Sequence, residues 1–192
     1  MDLLTLVRTN LLTMVVLLAF SVLLSDTSPW FAGFGLLIAY GWVYLVHRCI
    51  HLLPTSGPIS YLNLHVLVHH RHDAEIDPVL GLSIEAITNL AMNLSLLVVQ
   101  GALGLSLAPT SVVVFYALLY TSVHIFNYSL VGNDTHRNHH RNTTTNYGPD
   151  TLDHLFGTSA DDVWEDLTPI TLNACGVALV TLGLKYVLQW KD

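Results

Sequence analysis

Five apolar runs, at 3–24, 31–50, 86–107, 110–128 and 167–189, set the limits on what this chain can fold into. Each is close to the ~20 residues a helix needs to cross about 30 Å of hydrocarbon. The chain is 52% hydrophobic and only 11% charged, whereas soluble domains carry about 25% charged residues. The expected fold is therefore all-α, a polytopic membrane protein.

The runs pair into hairpins. Ser25 to Trp30 (SDTSPW) is a polar turn, with Pro29 suited to a first helical turn and Trp30 to the membrane interface. Ala108 and Pro109 turn the second pair. The first run, interrupted by Arg8 and Asn10, exceeds the roughly 7–15 residues of a signal-peptide core and lacks a small-residue cleavage site, so a membrane helix is expected. Leu53 to Pro58 (LPTSGP) breaks the helix after the first hairpin. Residues 51–85 cannot span, because Arg71, His72, Asp73, Glu75 and Asp77 lie among them, and 129–166 is polar. These two stretches form a helical cap, and residues 1–192 make one domain. Arg8 and Arg48 flank the cap side, which the positive-inside rule assigns to the cytoplasm. A spanning 167–189 would carry Lys185 and Lys191 to the other side. That run, broken by Pro169, Asn173 and Gly176, is expected to lie on or re-enter the cytoplasmic leaflet. Asn89 and Asn93, four apart in an apolar run, read as interhelical hydrogen-bonding residues.

Against this apolar background the eleven histidines are strongly clustered. His136, His139 and His140 share one helical face within about 100° of arc. His47 and His51 stack four apart, His65, His69 and His70 form another group with His72 just beyond, and His124 closes the second hairpin. The hairpins bring all of these to one membrane face. No fold requires so many imidazoles side by side, whereas a metal ion does, neutral imidazole being its commonest ligand. Cys49 and Cys175 lie apart from the clusters and read as small buried hydrophobes, so neither structural zinc nor an iron–sulfur cluster is indicated. A net charge of −7 with no basic patch excludes a nucleic-acid partner.

Nine of these positions form a coherent ligand set: His47, His51, His65, His69, His70, His124, His136, His139 and His140. They are too many for one ion and fit two. Redox metals beside acyl chains suit O₂ activation against unactivated C–H bonds, hard chemistry that a cofactor carries while protein supplies position. Two iron ions are expected, with zinc an alternative occupant in purified protein. A metal transporter would also need clustered histidines, but it would place them at the bilayer midplane rather than at helix ends.

HRCIH (47–51), HVLVHH (65–70), HRNHH (136–140) and NYGPDTLDHLFGT (146–158) resemble the fatty acid hydroxylase/sterol desaturase superfamily. The resemblance implies two helical hairpins under a cytosolic cap, and three histidine boxes around a non-haem di-iron centre. It also implies an O₂-dependent hydroxylase or desaturase acting on a fatty acyl chain or sterol. No haem, flavin or iron–sulfur signature is present, so electrons are expected from a partner protein. The active site is expected on the cytoplasmic face, of a bacterial inner membrane in preference to an endoplasmic reticulum.

Three departures matter. The middle box has three residues, Val66, Leu67 and Val68, where the family usually has two. On a straight helix His65 and His70 would then stand about 140° apart, while His65, His69 and His72 would lie within about 60°. A bulge near Val68 would instead gather His65, His69 and His70, so His70 and His72 compete for one place. Tyr128 stands where many family hydroxylases have a further histidine, and Leu152 where a Trp is common before the aspartate. In the trailing segment, Asn146, Asp150 and Asp153 suit hydrogen bonding to the outer nitrogens of ligating imidazoles. A simple turn with Asp153 as a helix cap is the competing reading. His154 reads as a core or interfacial histidine, and with Tyr128 it is a further candidate for a place around the ligands.

Overall fold

The structure is a computed structural model that describes residues 7–58, 60, 63, 65–70 and 77–192, with the side chains of Arg8 and Val68 excepted. The start of the first apolar run, and Arg71, His72, Asp73 and Glu75, lie outside the described residues. Among the described residues every regular element is helical. A π-wound turn, Val7–Leu11, leads into α1 (Leu12–Leu24), followed by α2 (Pro29–His51). A second π-wound turn, His65–His69, precedes α3 (Pro78–Leu103). Then come α4 (Thr110–Ser122, continuing π-wound through Val123–Gly132), α5 (Asp134–Arg141), α6 (Asp150–Phe156) and α7 (Thr168–Leu188).

The helix ends follow from local chemistry. Ser28 caps α2 by accepting from Phe31 N, with Pro29 in the first turn where its missing N–H costs nothing. Asp77 caps α3 through Val79 N and Leu80 N, again ahead of a proline. Gly104 ends α3 at φ 63°, a left-handed conformation that glycine adopts without a Cβ clash. The Gln100 side chain then closes the α3–α4 turn, accepting from Leu107 N and Ala108 N and donating to Ala108 O.

Lipid removes most of the hydrophobic drive for helices to associate, so close approach of small residues has to hold such a bundle together. Ala32, Ala39, Ala108, Ala117, Ala174 and Ala178 are buried in the shared core with Leu36, Val43, Leu96, Val112 and Phe115. At Gly35 a Cβ would stand 2.5 Å from Pro109 Cδ, so α2 passes the α3–α4 turn only because the position is glycine. The outward faces carry exposed apolar side chains, among them Leu23, Ile87, Val98, Leu172, Leu179 and Val187. Four helices, Pro29–His51, Pro78–Leu103, Thr110–Gly132 and Thr168–Leu188, are long and apolar enough to cross a membrane. The molecule is a polytopic all-α membrane protein.

The bundle has two distinct ends. At one end stand the close of α2, the start of α3, the π-wound end of α4 and all the described histidine groups. At the other, Lys185 of α7 pairs with Asp26 at 2.9 Å and donates to Leu24 O, while Asp192 accepts from Ser111 N and Oγ. The start of α7 lies at the histidine end, where Leu167 N donates to Thr9 O and Thr13 Oγ1 donates to Leu167 O. The expectation that 167–189 lies on or re-enters the leaflet is therefore corrected: α7 is one continuous helix running from one end of the bundle to the other. The charge argument failed because Lys185 is not a free loop cation. Asp26 and Asp192 neutralise it.

Two smaller expectations also change. Asn93 Nδ2 donates to Asn89 O within α3, and the Asn89 side chain has no partner among the described residues, so this pair makes no interhelical bond. The α2–α3 polar link is Trp42 Nε1 to Ser95 Oγ at 3.0 Å. Cys49 and Cys175 are exposed on helix faces rather than buried, because both faces point away from the core.

Candidate metal centre

Each histidine group reaches the centre from a different element. His47 and His51 occupy the last turns of α2, with His47 buried at 2% exposure. Asn133 caps α5, its side chain accepting from His136 N, so the three-four spacing of His136, His139 and His140 turns one face inward. His124 lies on the π-wound continuation of α4.

The middle box resolves through its winding. In a π turn residue i bonds residue i+5 rather than i+4, so residues five apart come onto the same face. His65–His69 is wound this way, and His65 Nε2 and His70 Nε2 stand 3.2 Å apart. The extra residue in this box is absorbed by the wider turn. His72 lies outside the described residues.

The nitrogens converge in two sets. In the first, His47, His51, His65, His70 and His139 come together. The Nε2 separations run 3.2 Å from His70 to His65, 2.9 Å to His47, 3.1 Å to His51 and 3.1 Å to His139. In the second, His69 Nε2 is 3.1 Å from His124 Nε2 and 3.0 Å from His140 Nε2, which is 2.9 Å from His136 Nε2. Adjacent residues His69 and His70 thus serve different sets.

Proton arithmetic shows what such sets suit. His47 Nδ1 faces Tyr147 O, and His139 Nδ1 faces Thr145 O at 2.6 Å. A carbonyl only accepts, so both rings carry their proton on Nδ1 and present a bare lone pair at Nε2. Both lone pairs face His51 Nε2, which holds one proton at most. A shared cation satisfies all of them at once. Ligands about 2.1 Å from one ion and at right angles to each other lie roughly 3.0 Å apart, the spacing found in both sets. Burial supports the neutral form needed for binding. It pushes the imidazole of His139 down to about 4 and that of His136 to about 2, where His140 also opposes a second charge. His65 and His70 are driven the same way, by burial first and neighbouring imidazoles second. The residues present fit a pair of metal ions.

A family model described as Fatty acid hydroxylase matches residues 32–158. The chain belongs to the fatty acid hydroxylase family. No curated protein and no solved structure matches it. Members of the fatty acid hydroxylase family are oxidoreductase-type enzymes acting on lipids, and the match runs from the second residue after Trp30 in α2 to Thr158, just beyond α6.

Within this member of the family the remaining candidates take other positions. Tyr128 stacks on His136, with ring centroids 5.1 Å apart, and its hydroxyl donates to Glu165 Oε2 at 2.9 Å rather than facing a histidine set. Asp153 accepts from Tyr147 N, Gly148 N and Thr158 Oγ1. Asn146 bonds Thr135 O and Ala160 N. Asp150 accepts from Glu165 N and lies 3.6 Å from His154, which stacks on Trp164 outside both sets. None of these three side chains is hydrogen-bonded to an imidazole of either set among the described residues. The backbone carbonyls of Tyr147 and Thr145 do that work instead, and Asp153 holds the Tyr147–Gly148 loop in place for it.

Two buried acids at the site do not stand out in the sequence. Glu85, buried at 5% exposure, sits against His69 and His124. A lone acid near the start of an apolar helix was its available signal, since ionisable residues in such segments are costly and rarely idle. Glu165 is the other. Burial raises its carboxyl to about 7, against the opposing hydrogen bond from Tyr128. It lines a cavity walled by Met14, Leu17, Leu119, Val123 and Ile170, with His47, His124 and His136 also on its lining.

Proposed function

We propose that this protein is a non-haem di-iron, O₂-dependent oxidoreductase that hydroxylates or desaturates a lipid chain, taking electrons from an external donor protein. The observation that carries the reading is two converging imidazole sets beside a cavity with apolar walls. His47, His51, His65, His70 and His139 would hold one ion, and His69, His124, His136 and His140 the other. Bound iron supplies O₂ activation, chemistry that no side chain provides. The protein's part is to hold and exclude. Tyr147 O and Thr145 O fix the tautomers of His47 and His139, so their lone pairs are already aimed. Met14, Leu17, Leu119 and Val123 offer an acyl chain a dry wall beside His47 and His124. Metal analysis of the purified protein, followed by lipid profiling of cells expressing it, tests this reading. Two metal ions per chain and a new oxidised lipid are expected. A protein without bound metal, or an unaltered lipid profile with a donor supplied, would overturn it.

The histidine end is proposed to face the cytoplasm, with Arg48, Arg137 and Arg141 around it. After Cys49 and Cys175 are replaced, an impermeant thiol reagent applied outside should label cysteine introduced at Ser28 or Ser106. It should not reach one at Thr144. Because α7 ends beside Leu24 and Ser111, a cysteine added after Asp192 should label with Ser28. Labelling at Thr144 from outside would reverse the orientation.

A further inference from the structure

We infer that Glu85 is an anionic ligand of the second ion, which makes the two metal positions chemically unlike. The inference rests on the di-metal reading and specifies one of its sites. Glu85 is on the first turns of α3, an element that contributes no histidine, and it presents its two oxygens to different partners. Oε2 lies 3.2 Å from His69 Nδ1, while the Nε2 of the same ring faces His124 and His140. Oε1 lies 3.4 Å from His124 Nε2, the nitrogen that also faces His69 Nε2. That is the spacing of neighbouring ligands on one ion, and His69, Glu85 and His124 together offer three ligand atoms to a cation.

Charge supports the same assignment. A buried carboxylate is costly unless it is paired or bound to metal. The partners of Glu85 among the described residues are two imidazoles and the Ser129 hydroxyl, which donates to Oε1; no lysine or arginine is among them. A carboxylate oxygen that accepts one hydrogen bond still has a lone pair for a cation. On the metal side, neutral imidazoles leave the charge of both ions uncompensated, and Glu85 is the one carboxylate in contact with either set among the described residues. Among the described residues the first set has five nitrogens and no anion, whereas the second joins two groups that share His69, one with His136 and His140 and one with His124 and the Glu85 carboxylate. The second position therefore holds its ion with one more negative charge, which favours the more oxidised state there.

Cobalt(II) loading provides a test that does not depend on turnover. The wild-type chain should take up two cobalt ions with distinguishable visible spectra. In Glu85→Ala one ion should bind as before through the five-histidine set, which doubles as the control for folding. The other should bind more than about tenfold more weakly and with a changed spectrum. Acetate, a carboxylate able to enter the space left by the side chain, should restore that spectrum. Glu85→Gln, which keeps the shape and an acceptor but not the charge, should weaken the same ion alone. Unchanged uptake and spectra in both variants would overturn the inference. So would a loss of affinity with the spectrum unaltered, because Glu85 would then only orient His69. Wild-type protein that takes up no cobalt would overturn the di-metal reading itself, and the inference with it.

Discussion

Replacing His139 by Ala is expected to empty the first metal position and reduce turnover by more than about 100-fold, beyond the loss typical of residues that merely support a ligand. His139 is fully buried, its Nδ1 is committed to Thr145 O, and its Nε2 stands 3.1 Å from that of His51. Truncation removes one donor and leaves the lone pairs of His47 and His51 without their shared partner. His136→Ala and His140→Ala should act on the second position in the same way. Metal content by mass spectrometry and product formation are the measurements. Full occupancy and turnover in any of the three variants would reject the ligand set.

The second large effect concerns the middle box. His70→Ala should lose the ion of the first set, His69→Ala that of the second, and His72→Ala should keep both. The basis is that His65, wound onto the same face as His70, completes a five-nitrogen set without a further histidine. Each variant should be scored by ions per chain. If His72→Ala lost an ion while His70→Ala kept both, the π-wound arrangement would be wrong.

Much of this architecture can be read from the sequence, for a simple reason. Apolar length reports membrane crossing directly, and histidines at three-four spacing can only share a face on a helix. The middle box could not be read in the same way. The expected angles assume 3.6 residues per turn, and nothing in Val66, Leu67 and Val68 announces a wider winding. Tyr147 O and Thr145 O were equally hidden, since every residue has a carbonyl and only the fold decides which one meets an imidazole. Asn146, Asp150 and Asp153 have the chemistry for that role, but their side chains tie residues 146–165 together and to Thr135. Glu85 is inconspicuous in the sequence because it marks the edge of an apolar run, whereas helix α3 starts seven residues before it, at Pro78. The course of α7 was misjudged because net charge counts Lys185 but cannot see Asp26 and Asp192 beside it.

The division of His69 and His70 between the two sets has a consequence for how the protein loads. One peptide unit joins a ligand of the first ion to a ligand of the second, so the ordering of either ring restricts the other. Whichever ion arrives first fixes the dihedral angles of that unit and lowers the entropic cost of the next arrival. Uptake of the two ions then becomes a linked equilibrium with positive cooperativity, and by reciprocity the loss of one should hasten the loss of its neighbour. In the wild-type chain singly loaded molecules should be fewer than two independent sites would give, a modest coupling that still lets either set hold its ion when the other is disabled.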